Sequence, residues 1–263
     1  MRSHLVSQFL LKRFARGGVV GVNSITTHEQ RHERVRDIGY VELEEELIGG
    51  MERKWQKVES EAANALHKLD AGTLLDSSRN IFAIKRLMAM HFVRSEAFYL
   101  LMVSKREEYL DTVVRRLGMQ FPAETERLLP VIRSEWMTMI DGSIPGILRD
   151  NISKVESFID SQGIEIGVTP VGVSLILGDN PALTISKDGH LGILAGVPIT
   201  EATGFSMPLG PKHLVALKTN ALSRKYLQLS AEHVRNANEK QLAQAIRVYY
   251  SLPSASGSIS GRT

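Results

Sequence analysis

Apolar positions recur every three to four residues from about Val41 to Asp160, and this spacing predicts a mainly helical stretch. Val41 to Leu47 reads as a short acidic helix closed by Gly49-Gly50. Trp55, Val58, Ala62, Ala65, Leu66 and Leu69 make the apolar stripe of a helix over about 51–69. Ile84, Leu87, Met88, His91, Ser95, Phe98 and Leu101 make the inner face of another over about 78–104. Pro122 and Pro130 are expected to break the next region into shorter pieces, and Asp141-Gly142 and Pro145-Gly146 punctuate it further. Trp136 suits a core position, and Ile147 to Ile159 is amphipathic again.

At Gly163 the period falls to two, the signature of half-buried strands. Ile164–Val168, Val171–Leu177, Ala182–Ile185, Leu191–Leu194, Ile199–Thr203, Phe205–Met207 and Leu214–Lys218 read as strands. Asp188-Gly189 marks a hairpin, and Pro208-Leu-Gly-Pro separates the last two strands. Asn238 fits a helix N-cap with Gln241 three residues on, followed by a stripe of Leu242, Ala245, Ile246 and Tyr249. The fold class is therefore α+β: a helical layer over about 41–160, a mainly antiparallel sheet over about 163–218, and a C-terminal helix. Residues 1–251 read as a single α+β domain and 252–263, poor in apolar residues, as a disordered tail.

The N-terminal segment has Ser7 as an N-cap and Gln8 to Ala15 as a short helix turning Phe9, Leu10 and Phe14 inward. His4 then precedes the positive end of that helix; if the helix starts at Ser3, His4 and Gln8 share a face, so both readings bring the two together. Val19 to Val22 reads as a short strand. Residues 24–37 carry no apolar periodicity and read as a solvated loop, or as a basic phosphate-binding arm using Arg31, Arg34 and Arg36. His28 and His32 stand four apart but lack a third ligand at a convincing spacing.

Composition narrows this picture only modestly. The chain has 263 residues with 32 basic and 29 acidic side chains, and a net charge of +3 does not demand a nucleic-acid partner. The absence of cysteine removes disulfides and thiolate metal sites. No run approaches the roughly 20 apolar residues of a membrane span, and the N-terminus lacks a clean cleavage signal, so a cytoplasmic protein with no membrane partner is expected. There is no G-x-x-x-x-G-K-[ST] loop, no G-x-G-x-x-G after a strand, no G-x-S-x-G elbow and no H-E-x-x-H. No nucleotide or haem cofactor is expected.

Candidate chemistry lies where polar groups interrupt these patterns. Gly178-Asp179-Asn180-Pro181 ends an apolar strand: turn chemistry explains it, and a strand end is also where a carboxylate can be held for reaction. Glu59 borders the stripe of its helix. Arg94 lies three residues from His91 at the edge of an apolar face, where a part-buried charge needs a partner, and Glu59 is the first one to name.

In this order His4-Leu-Val-Ser-Gln8, Glu59, Arg94, Asp179-Asn180-Pro181, Pro208-Leu209 and Asn238 resemble a prokaryotic domain-of-unknown-function family, number 4238, marked by an N-terminal H-x-x-x-Q. The resemblance runs to about Tyr250. It departs at Ser7, where the family usually has Pro, and at Gly178, where it usually has Ser. It supplies candidate residues and no reaction.

Two functions compete for these residues, and the sequence alone puts the first ahead of the second. In the first, the protein is a metal-assisted, nuclease-like hydrolase of a phosphodiester or similar anionic substrate. His4 would be general acid or base, Glu59 and Asp179 would hold Mg2+ or Mn2+, and Arg94 would stabilise developing negative charge. Gln8 and Asn180 would orient water or substrate, and Arg94 with His91 would bind the substrate. In the second, a non-catalytic binding or regulatory protein uses the same residues as a hydrogen-bonded structural network. Closure of the network against solvent favours the second, and an open pocket with unsatisfied oxygens the first. A nucleic-acid-binding protein using residues 31–36 has no reader motif in its favour.

Overall fold

The structure is a computed structural model that describes residues 2–42, 51–192, 201–218 and 223–253. The chain is α+β, as its two periodicities predict. Three long helices carry the helical layer: α2 (Met51–Asp70), α3 (Ser78–Val93) and α5 (Pro122–Asp160), with α4 (Glu96–Gln120) packed on α5. The stripe of α2 is buried as expected, from Trp55 through Leu69, and Met51 extends it by one turn.

These helices cover a five-stranded sheet in the order β10-β5-β9-β8-β7, with β5 (Gly163–Val168), β7 (Leu183–Ile185), β8 (Gly204–Gly210), β9 (His213–Lys218) and β10 (Arg224–Gln228). All its pairs are antiparallel except β10 with β5. Ile164, Ile166, Phe205, Met207, Val215 and Leu217 meet the helices in the main core. Lys85 of α3 is buried beneath the end of α5 and donates to the carbonyls of Asp160 and Gln162 at 2.6 and 2.7 Å. A cation there answers both the open carbonyls and the negative helix end.

A second sheet joins the two ends of the chain. Its order is β3-β2-β11-β6, from β2 (Val19–Ser24), β3 (Gln30–Arg34), β6 (Leu177–Gly178) and β11 (Val248–Ser251). The short helix α1 (Gln8–Arg13) packs on it through Leu10, Leu11 and Phe14, making a smaller core with Val20, Val22, Leu177 and Tyr250. Phe9 touches both cores. A two-stranded antiparallel pair joins β1 (Arg2–His4), which precedes α1, to β4 (Tyr40–Glu42), which follows β3.

Several boundaries differ from the sequence reading, each for a physical reason. His4 lies in a strand opposite Tyr40, so a helix starting at Ser3 is not formed. Tyr40–Glu42 is likewise strand, and the remainder of the acidic segment lies outside the described residues. Residues 30–34 form an edge strand in which His32 alone is buried, which is why no alternation was visible. Arg31, Arg34 and Arg36 are exposed around it.

The helix expected over 78–104 is broken at Arg94, where Ser95 caps α4 by accepting from the Phe98 amide at 3.1 Å. Pro122 starts α5 at a position where no amide donor is needed, and the helix continues through Pro130, Gly142, Pro145 and Gly146. The Trp136 side chain lies outside the described ones. Strand β8 passes through Pro208, so the turn comes at Pro211-Lys212, and only Leu177–Gly178 of the strand expected over 171–177 forms. Residues 199–200 lie outside the described ones, and Glu201–Thr203 is not strand. The last helix, α6 (Ala231–Gln244), starts seven residues before Asn238 under a Ser230–His233 capping box, and Tyr249 falls in β11. Of the tail expected over 252–263, residues 254–263 lie outside the described residues.

Candidate functional site

Ser7 holds the N-cap position of α1 but makes no capping bond. Its hydroxyl turns instead into the helical layer. It donates to Glu59 Oε1 at 2.6 Å, accepts from Arg94 Nη2 at 2.8 Å, and lies 3.0 Å from His91 Nε2. Arg94 Nη2 also donates to Glu59 Oε1 at 2.9 Å. A hydroxyl has one proton, and a carboxylate beside a guanidinium takes it, so the His91 ring must donate through Nε2. Ser7 and His91 are wholly buried, and the Arg94 side chain is 3% exposed with its guanidinium 5.2 Å from the centre of the Trp55 ring. A charge so buried is tolerable because it is both paired and hydrogen-bonded. Burial and then the Arg94 charge hold the His91 pKa well below its ordinary 6.5, in keeping with a neutral ring.

The rim of this node is half-buried: His4, Gln8 and Glu59. The Gln8 amide nitrogen lies 3.0 Å from His4 Nε2, so the amide donates and the His4 proton sits on Nδ1. The His4 ring meets Tyr40 edge-on at 6.0 Å. Burial and then Arg94 lower its pKa, with Glu52 and Glu59 opposing. Burial does the same to His213, beside Arg13 in a separate pair with Asp70.

A histidine with a depressed folded pKa binds its proton more readily in the unfolded chain. Its stabilising effect is therefore complete above the ordinary value of 6.5 and is lost as pH falls below it. Urea midpoints should accordingly drop as pH falls from about 7.5 to about 5.5. A midpoint constant across that range would contradict this assignment of neutral rings.

Asp179 sits elsewhere, at the end of β6. Its Oδ1 accepts from the Ile246 amide at 2.9 Å, and its Oδ2 from Arg247 and Val248 at 2.7 and 3.1 Å. Three consecutive amides are thus gathered on one carboxylate where α6 gives way to β11. Asp179 also donates its own amide to the Val248 carbonyl. Gln241 spans the same turn, accepting from the Gly178 amide and donating to the Pro181 carbonyl. A Cβ on Gly178 would lie 3.1 Å from Gln241 Oε1 and 3.2 Å from its carbonyl oxygen, so glycine suits this close approach. Asn180 is buried and its amide donates to the Gln244 carbonyl at 3.5 Å. Asn238 is not a cap: from the middle of α6 it bonds the Ile176 amide and the Ser174 carbonyl, both at 3.0 Å.

The structure thus brings His4, Gln8, Glu59, His91 and Arg94 together, and the expected Glu59–Arg94 pair is formed. No hydrogen bond or ion pair joins Asp179 or Asn180 to that node among the described residues. The link is indirect: Arg247, whose amide bonds Asp179, pairs through its side chain with Glu96, two residues beyond Arg94. No three Asp, Glu or His side chains gather to hold a metal ion among the described residues, and Glu59 and Asp179 bond to different partners, Ser7 and Arg94 for one and the 246–248 amides for the other. Sequence reasoning read Ser7 and Gln241 only as parts of helix caps and gave Glu96 and Arg247 no role in a site. The Ser-for-Pro departure at position 7 was the one signal available for the first; the others sit in ordinary helix and loop text.

No described helix is long and apolar enough to cross a membrane. No curated protein and no solved structure matches the chain. One family model does, described as "Protein of unknown function (DUF4238)", over residues 2–254. With nearly its whole length matched, and with the H-x-x-x-Q pair and the Asp-Asn-Pro turn both built into the fold, the chain belongs to that family.

Proposed function

We propose that this protein is a non-catalytic binding protein whose polar residues fix its architecture. The observation that carries this reading is the saturation of the groups otherwise suited to chemistry. Asp179 takes three backbone amides, and the Ser7 hydroxyl has three side-chain partners. Such networks favour one packing, although Arg94 Nε and His91 Nδ1 are buried with no hydrogen-bond partner among the described residues. The Ser7 node locks the N-terminal segment onto α2 and α3, and the Asp179 latch locks the C-terminal strand onto β6. Together they hold the second sheet against the helical layer.

A second reading keeps the nuclease-like hydrolase with Mg2+ or Mn2+, because His4, Gln8 and Glu59 remain half-exposed on one side of the node. There His4 would move the proton and Glu59 would hold the metal, with Arg94 behind it. One experiment separates the two. The purified protein is assayed with Mg2+ or Mn2+ on bis(p-nitrophenyl) phosphate and on single- and double-stranded nucleic acid, beside His4→Ala and Glu59→Gln. The binding reading expects no turnover above buffer and a lowered melting temperature for Glu59→Gln. Metal-dependent turnover lost in His4→Ala at unchanged stability would establish the hydrolase instead.

A further inference from the structure

Helices α2, α3 and α5 line a groove of about 270 Å3 that contains none of Ser7, Glu59, His91 or Arg94 and reaches that node only through Trp55, on whose ring Arg94 lies. Its floor is the buried core: Met51, Trp55, Val58 and Met90, none more than 5% exposed. Its rim carries Lys54 and Lys57 from α2 and Arg149 from α5, all exposed. Lys54 and Lys57 are three apart and share a helix face. Of the two other charged lining groups, Arg86 and Glu156 are bonded to each other at 2.9 Å, with Arg86 also bonded to Glu61. That internal pairing leaves Lys54, Lys57 and Arg149 with no carboxylate partner among the described residues.

An unbalanced cationic rim over an apolar floor has a chemical complement. Three cations match a phosphate dianion, with a fork-shaped guanidinium and two point-charge ammoniums around it. Two thioethers and an indole make a floor that favours a flat aromatic body over an aliphatic one. The Trp55 indole N–H is buried without a hydrogen-bond partner among the described residues and takes no part in this contact.

We propose that this groove binds a small aromatic phosphate ester, with the ring on Met51, Trp55 and Met90 and the phosphate against Lys54, Lys57 and Arg149. This goes beyond the binding reading above and stands on different charged residues, so either can fail alone. Because Arg94 lies on the Trp55 ring, an occupied groove is one side chain away from the Ser7 node.

The test uses the full chain and three probes in titration calorimetry at low salt: 1-naphthyl phosphate, inorganic phosphate and 1-naphthol. Naphthyl phosphate should saturate with a Kd between about 10 μM and 1 mM, at least ~10-fold tighter than either fragment, and weaken as salt rises. Combining Lys54→Glu, Lys57→Glu and Arg149→Glu should weaken it a further ~10-fold or more without changing the circular dichroism, since all three sites are exposed. Should the triple reversal disturb folding, Lys54→Gln with Lys57→Gln gives the same direction at smaller size. No saturation below about 5 mM, equal affinity for naphthol, or affinity untouched by the charge changes would each overturn the site.

Discussion

Replacing Asp179 by alanine is expected to cost about 3–5 kcal/mol, the largest effect of any single polar substitution in this fold. The reason is the asymmetry of removing a buried acceptor. Three amides, from Ile246, Arg247 and Val248, lose their one anionic partner at once, and Asp179 is only 5% exposed, so water does not simply replace it. Asp179→Asn should fare little better. An amide keeps one acceptor oxygen but turns an NH2 group toward backbone donors, replacing an attraction by a clash of like dipoles. In a chain of this size the alanine cost corresponds to a fall in melting temperature of roughly 5–9 °C. The opening should be local as well as global: amide exchange at 246–251 should accelerate more than exchange in β5 or β9, because β11 loses its hold on β6. A cost below ~1 kcal/mol would show that the turn is held by its backbone pairing alone.

That expectation inverts the natural reading of Asp-Asn-Pro as a site for chemistry, and it shows where sequence text is and is not legible. Periodicity carried the α2 stripe from Trp55 to Leu69 because one face of a long helix is buried against one core. It also carried the change to strand at Gly163, and the Glu59–Arg94 pair, since both charges border apolar faces that must meet. It failed where tertiary partners override local preference. Pro130 and Gly142 read as breaks, yet α5 packs along α3 and α4 and runs through them. Ser7 and Asn238 both looked like helix caps, because a hydroxyl or amide near a helix start explains itself locally. The partners they take lie 52 to 87 and 62 to 64 residues away. The convergence of the two chain ends into one sheet was invisible for the same reason: β2, β6 and β11 are each too short to declare a partner.

Neutralising Glu59 tests whether the Ser7 node is held by charge or by shape. Glu59→Gln is expected to cost about 3 kcal/mol, because it leaves the Arg94 guanidinium, 3% exposed, without its counter-charge. The remaining partner, Ser7, offers a neutral oxygen to a full cation, and the Trp55 face adds only part of the balance. Glu59 itself is 25% exposed, so water reaching its vacated charge position keeps the loss below that of a wholly enclosed pair. Arg94→Met should also destabilise, by leaving the Ser7–Glu59 contact without its cation. Combining the two should cost less than their sum by roughly 1–3 kcal/mol, since a pair removed together leaves no orphaned charge. Urea denaturation of the four proteins closes this cycle. Costs that add within about 0.5 kcal/mol would mean that Arg94 is balanced by something other than Glu59. The single variants should also be cut faster by protease within residues 2–16 than in the β5–β9 sheet, because the node is what fastens the N-terminal segment to α2 and α3.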